Sequence, residues 1–228
     1  MRLGIVLQNK ELTVFKRNAE SHQAEAFAGL EAARRYAEAA QKSTRRYMAF
    51  LERLEGQGIE EGRYLDVGAG AGILTCLVAQ KFPQVEITAL ELSQAMVTVG
   101  QEVLLDKGLQ DRINFVRGDA TDTELIQSLG KFDLIFSTYA LHHWEQPRHV
   151  IDNLLAALAP GGLLFLHDLR RVWWLYWIPA KNGFFQSIRA SYLPAEIEDL
   201  LPGLSPERYE LKQEFPFMVS IFIRQPMR

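Results

Sequence analysis

Cysteine is nearly absent. Cys76 stands alone among 228 residues, so no disulfide can close within the chain, and such usage fits a reducing compartment, with the cytoplasm as the expected location. Long apolar runs are missing as well. The stretch Leu3 to Leu7 is too short for a signal-peptide core, and no segment offers the roughly 20 consecutive apolar residues that a membrane span needs. Positive charge is not in excess: 25 lysines and arginines against 28 aspartates and glutamates leave a formal charge of -3. No global field then draws the chain to phosphate backbones, and nucleic acid is not the expected partner. A glycine is missing too. Counted from Gly68 and Gly70, the third glycine of a dinucleotide fingerprint belongs at position 73, which Ile73 occupies.

What is present is enough apolar material, 48% of the chain, for one α/β core, and the whole of residues 1–228 reads as a single domain. Residues 1–15 hold a short strand or hairpin in this reading. From Ala19 to Leu54 the apolar spacing of Phe27, Leu30, Tyr36, Ala40, Tyr47, Phe50, Leu51 and Leu54 predicts two helices. Gly56, Gly58 and Gly62 end them, and five strand–helix alternations follow from Arg63 to Asp168, the pattern of a parallel sheet covered on both faces. Then come an aromatic run, Trp173-Trp174-Leu175-Tyr176-Trp177, a helix near Ala195 to Leu201, and strand-like segments at Arg208 to Gln213 and Phe217 to Arg224.

The most telling segment is Tyr64-Leu-Asp-Val-Gly-Ala-Gly-Ala-Gly72, an apolar strand running into alternating glycines and then a helix. Glycines let the chain turn tightly and let a ligand lie against the backbone, whose free N–H groups at the helix start face it. About twenty residues further, the β-rich Val85 to Glu91 ends in an acid suited to ribose hydroxyls. Gly118-Asp119-Ala120 follows a third strand, Phe132 to Trp144 carries a fourth, and Leu158-Ala-Pro-Gly-Gly162 turns into a fifth.

Over residues 62–168 this series resembles the class I S-adenosylmethionine-dependent methyltransferases. The resemblance implies a doubly wound, mostly parallel seven-stranded sheet of order 3-2-1-4-5-7-6. Its last-inserted strand is antiparallel, residues 1–61 form a helical cover, and residues 169–228 form the substrate side. It implies S-adenosylmethionine as cofactor and S-adenosylhomocysteine as product. Asp66, Gly68, Ala69 and Gly70 would hold the methionine part, Glu91 the ribose, and Leu92, Met96, Asp119 and Ala120 the adenine, with Ser137 and Tyr36 also at the cofactor.

The acceptor is expected to be a small molecule. A methyl group carried on a sulfonium is already activated, so alignment of the acceptor does most of the work and few dedicated catalytic side chains are needed. His142, His143 and His167 are the candidates, the first two reading first as packing residues. Adjacent histidines point in different directions and no carboxylate completes a ligand set, so no metal site is expected. Arg170, Arg171, Trp173 and Tyr139 are the substrate-side candidates. The aromatic run reads as a pocket wall or lid, as a homodimer contact, or as a membrane-surface contact. The alternatives to a small-molecule enzyme are a tRNA or other macromolecular methyltransferase and a non-catalytic S-adenosylmethionine sensor or partner subunit.

Overall fold

The computed structural model describes Arg17 and residues 29–177, 183–201 and 203–227. The strand or hairpin expected over residues 1–15, and the start of the helical stretch at Ala19, lie outside these residues. Helices α1 (Leu30–Lys42) and α2 (Met48–Glu55) precede the sheet and are joined by a 3-10 turn at Thr44–Tyr47. The alternating part runs β1 (Glu61–Val67), α3 (Ile73–Lys81), β2 (Gln84–Glu91), α4 (Gln94–Lys107), β3 (Ile113–Arg117), α5 (Thr123–Ser128), β4 (Phe132–Thr138), α6 (Pro147–Ala157) and β5 (Leu158–Leu169). Helices α7 (Gly183–Ala190) and α8 (Pro194–Asp199) and the hairpin β6 (Tyr209–Glu214) and β7 (Met218–Arg224) complete it. The strands lie in the order β3-β2-β1-β4-β5-β7-β6, and β7 runs antiparallel to both neighbours. Expected order and orientation are both present.

Local chemistry explains the boundaries. Ser93 caps α4 by accepting from the Met96 N–H, and Gly108, at φ 64°, closes its other end. Asp122 caps α5 through the Leu125 N–H, while Pro147 and Pro194 start α6 and α8 where a missing N–H costs nothing. Central strands β1, β4 and β5 read as nearly continuous buried runs because helices cover both of their faces. Helix α3 is buried at Ile73, Leu74, Thr75, Cys76, Val78 and Ala79, since it lies inside one of those layers.

Two apolar layers result. One joins α1 to α4 to the sheet face bearing Tyr64, Ile87, Phe136, Phe165 and Phe222. The other joins α5, α6 and α8 to the face bearing Leu65, Leu90, Ile135, Leu164 and Ile221. In the first, Phe50 of α2 stacks on Phe165 at 4.7 Å, which stacks on Phe222 at 4.4 Å. Phe136, Phe165 and Phe222 form one row across β4, β5 and β7. Two residues nearer the carboxyl ends of β4 and β5, Thr138, His167 and Ser220 form the next row on the same face. This polar row opens the region beyond the carboxyl ends of the parallel strands, beneath α1 and α2.

Candidate functional site

The glycine segment makes the floor of a cleft. Gly68, Gly70 and Gly72 have φ of 75°, 56° and 72°, left-handed values that L side chains adopt at a cost. Gly68 and Ala69 donate their N–H groups to the Leu90 carbonyl at 2.9 and 3.2 Å. Glu91, at the end of β2, accepts from the Gly70 N–H at 2.9 Å and from the Ser93 N–H at 2.8 Å, so one carboxylate clamps loop, strand and helix start together. Above the floor lies a small cleft, open to solvent and lined in part by Tyr36, Tyr47, Asp66, Gly68, Gly70 and Thr138.

Asp66 is buried and accepts from the Thr75 hydroxyl at 2.6 Å. Burial pushes its carboxyl up to about 7; the Thr75 hydrogen bond opposes the rise and the nearby Glu91 charge adds to it. Across the cleft the Thr138 hydroxyl is enclosed and has no hydrogen-bond partner among the described residues. A buried carboxylate, an unsatisfied hydroxyl and a glycine floor fit the amino-acid part of S-adenosylmethionine, which brings an ammonium, a carboxylate and little bulk. Leu92 and Asp119 are exposed, Met96 is half-buried and Ala120 is buried. They stand beside Glu91 where β2 and β3 end, since Gly118 donates its N–H to the Glu91 carbonyl at 3.0 Å. Asp119 uses Oδ1 to accept from the Thr121 N–H.

The side chain of Ser137 is not brought to the cleft. Strand alternation turns it to the opposite face, where it is buried and donates to the Val67 carbonyl at 2.6 Å. Thr138, the next residue, takes the place expected of it. Tyr36 does line the cleft. Tyr139, at φ 57°, is a non-glycine residue in the left-handed region and stands edge-on to Tyr47 and His167, with centroids 6.4 and 6.3 Å away. Burial raises both the Tyr47 and the Tyr139 phenol to about 12, so both remain hydrogen-bond donors. Arg46 lies over the Tyr47 ring and donates to its hydroxyl at 2.6 Å.

The histidines separate by role. His142 gives its backbone N–H to Asp168 at 2.9 Å, and its Nδ1 lies 2.7 Å from the same carboxylate, both side chains being buried. Burial alone would raise Asp168, but the charge and hydrogen bonds of His142 outweigh it and hold the carboxyl below its ordinary value. The pair ties the loop after β4 to the end of β5. His143 is exposed and rests on the His142 ring, centroids 4.0 Å apart. His167 stands among Tyr139, Phe50 and Phe165.

The expected substrate arginines are engaged elsewhere. Arg171 is buried and reaches Glu196 of α8 at 2.5 Å and the Ser191 carbonyl at 3.2 Å, which anchors α8 to the sheet. Arg170 donates to the Pro216 carbonyl in the β6–β7 turn at 3.4 Å. Trp173 is 63% exposed and is not part of the cleft lining, whereas Trp174 is half-buried against Leu169, Val172, Leu175 and Ile188. The signals that sequence reasoning passed over were Thr138, Arg46 and the polar row. Strand period alone could have exchanged Ser137 for Thr138, but Arg46 and Ser220 come from elements whose register only the fold sets.

A seven-stranded sheet of this order, with a glycine floor and an acid at the end of β2, defines a class of protein. Residues 65–164 match the family described as a methyltransferase domain, and the sheet order is the one shared with a solved S-adenosylmethionine-dependent methyltransferase fold. The chain is 28% identical over 60% of its length to a malonyl-[acyl-carrier protein] O-methyltransferase of Priestia megaterium, covering 43% of that protein. It is 30% identical over 52% of its length to a ubiquinone/menaquinone biosynthesis C-methyltransferase of Pseudomonas paraeruginosa, covering 46% of it. The chain thus spans less than half the length of these curated relatives. A putative S-adenosylmethionine-dependent methyltransferase of Methanococcus maripaludis shares the fold with a TM-score of 0.68 at 21% identity, over 88% of this chain and 94% of that one. Among the described residues no helix is long and apolar enough to cross a membrane.

Proposed function

We propose that the chain binds S-adenosylmethionine on the Gly68–Gly72 floor and transfers its methyl group to a small-molecule acceptor, leaving S-adenosylhomocysteine. The observation that carries this reading is the Glu91 clamp on Gly70, together with the enclosed polar groups of Asp66 and Thr138 facing one cleft. Asp66 takes the ammonium of the methionine part. Thr138 donates to or accepts from its polar end, and Tyr36 closes over it. Glu91 still has lone pairs for the ribose hydroxyls, because each of its oxygens accepts one backbone N–H. Leu92, Met96, Asp119 and Ala120 form the adenine edge.

The bound cofactor supplies an electrophilic methyl group; the protein aligns the acceptor and keeps water out, an effect worth roughly 7–11 kcal/mol where orientation is complete. A small acceptor is supported by the narrow cleft beneath Tyr36 and Tyr47 and by the absence of net positive charge. One relative, named for ubiquinone/menaquinone biosynthesis, points the same way, and another is named for a malonyl group borne on an acyl-carrier protein. Isothermal calorimetry checks the cofactor. S-adenosylmethionine should bind the unaltered chain, and Gly70→Val and Glu91→Ala should each weaken it at least tenfold while circular dichroism stays unchanged. Equal affinity in both variants would remove the basis of the assignment.

A further inference from the structure

The polar row does not end at His167. His167 Nδ1 lies 2.9 Å from the Ser220 hydroxyl, which donates to Glu214 Oε1 at 2.6 Å, and Glu214 Oε2 meets Arg53 of α2 at 2.5 Å. The direction of this chain is fixed by its end. Glu214 is paired with a guanidinium and accepts, so the Ser220 proton points to Glu214, and the Ser220 oxygen can serve His167 only as an acceptor. The His167 proton is therefore on Nδ1, and the Nε2 lone pair is free. Nε2 has no hydrogen bond among the described residues and is not among the enclosed, unpartnered polar atoms. His167 is in register with Thr138, a residue of the cleft wall, and its ring stands edge-on to Tyr139.

We infer that His167 is the proton acceptor of the methyl-transfer site, with Ser220, Glu214 and Arg53 as the positioning residues that hold its Nδ1–H form. This rests on the cofactor reading above and deepens it, since it names the acceptor class: a group that arrives with a proton on the attacking atom, such as a hydroxyl or phenol. In the step, the acceptor O–H bond breaks and an Nε2–H bond forms. The O–H electron pair stays on oxygen, which uses a pair to bond the methyl carbon. The carbon–sulfur pair remains on sulfur, and the imidazolium returns its proton to water. Burial and three charged groups bear on the charge of His167. Burial, the largest influence, lowers its pKa to about 4, Glu214 and Asp168 oppose the fall, and Arg53 adds to it. The ring consequently stays neutral near pH 7, with the Nε2 lone pair unprotonated and able to take a proton in the step.

Long-range proton–nitrogen NMR on the histidine-labelled 228-residue chain tests this, alone and with S-adenosylmethionine or S-adenosylhomocysteine. The unaltered protein should show His167 neutral with its proton on Nδ1. Ser220→Ala should move the population to the Nε2–H form, and Glu214→Gln should shift it partly. The Nε2 signal should move further with the sulfonium than with the thioether, because only the former places a positive charge beside it. An Nε2–H ring in the unaltered protein, or a tautomer indifferent to Ser220→Ala, overturns the inference. So does an Nε2 signal that ignores S-adenosylmethionine while Gly68 and Gly70 amides respond. If those amides are also silent, the cofactor reading has failed, and with it the role of His167 as proton acceptor; the tautomer result then tests the positioning chain alone.

Discussion

Asp66 shows how a single side chain can oppose stability while serving a ligand. Its carboxyl is raised to about 7 by burial, so near neutrality it is only partly ionised in the ligand-free protein. A cation placed beside it should complete the ionisation and release close to half a proton near pH 7, which calorimetry detects as a binding heat that depends on the buffer's own ionisation heat. Asp66→Asn should abolish that dependence and weaken S-adenosylmethionine at least tenfold. Identical heats in phosphate and Tris for the unaltered protein would separate Asp66 from the ammonium. Residue identity was legible here because aspartate at a strand end before glycines is a local pattern. Ser137 and Arg171 were not, since one depends on which face a strand presents and the other on where a distant helix packs.

Among the elements, the alternation from β1 to β5 could be read directly, because buried parallel strands leave continuous apolar runs and capped helices leave punctuation. The aromatic run resisted reading, since tryptophans at a 3-10 turn carry the same composition whether they wall a pocket or cover a small apolar cluster, and Trp174 does the latter. Helix α4 adds a packing constraint invisible to propensity. A Cβ on Gly100 would meet Phe115 Cζ at 2.3 Å, and a Cβ on Gly72 would meet the same atom at 2.9 Å, so the ring is wedged between helix and glycine floor. Alanine ordinarily favours a helix over glycine by about 1 kcal/mol, but overpacking costs roughly 1–3 kcal/mol. Gly100→Ala should therefore lose about 1 kcal/mol in urea unfolding and should also weaken the cofactor as the ring presses on Gly72. A gain in stability would mean that Phe115 turns aside freely.

At the scale of the whole molecule, Asp66 and His167 oppose each other as pH changes. Native Asp66 keeps its proton up to about 7, whereas an unfolded aspartate loses it near 3.8, so between those values the folded state binds more protons and stability falls as pH rises. Native His167 refuses a proton until about 4, whereas an unfolded histidine takes one near 6.5, so over that window the unfolded state binds more and stability rises with pH. The two slopes nearly cancel, and the unaltered protein should show a flat profile where the two windows overlap, from about pH 4 to 6.5. Removing either group should tilt it. Asp66→Asn should leave stability climbing with pH through the His167 window, and His167→Asn should leave it declining, by up to roughly 1.4 kcal/mol per pH unit in each case. Urea midpoints at half-unit pH steps measure both slopes. Parallel profiles in the two variants would show that these buried groups do not dominate the acid response, and that the cleft is wetter in solution than its burial implies.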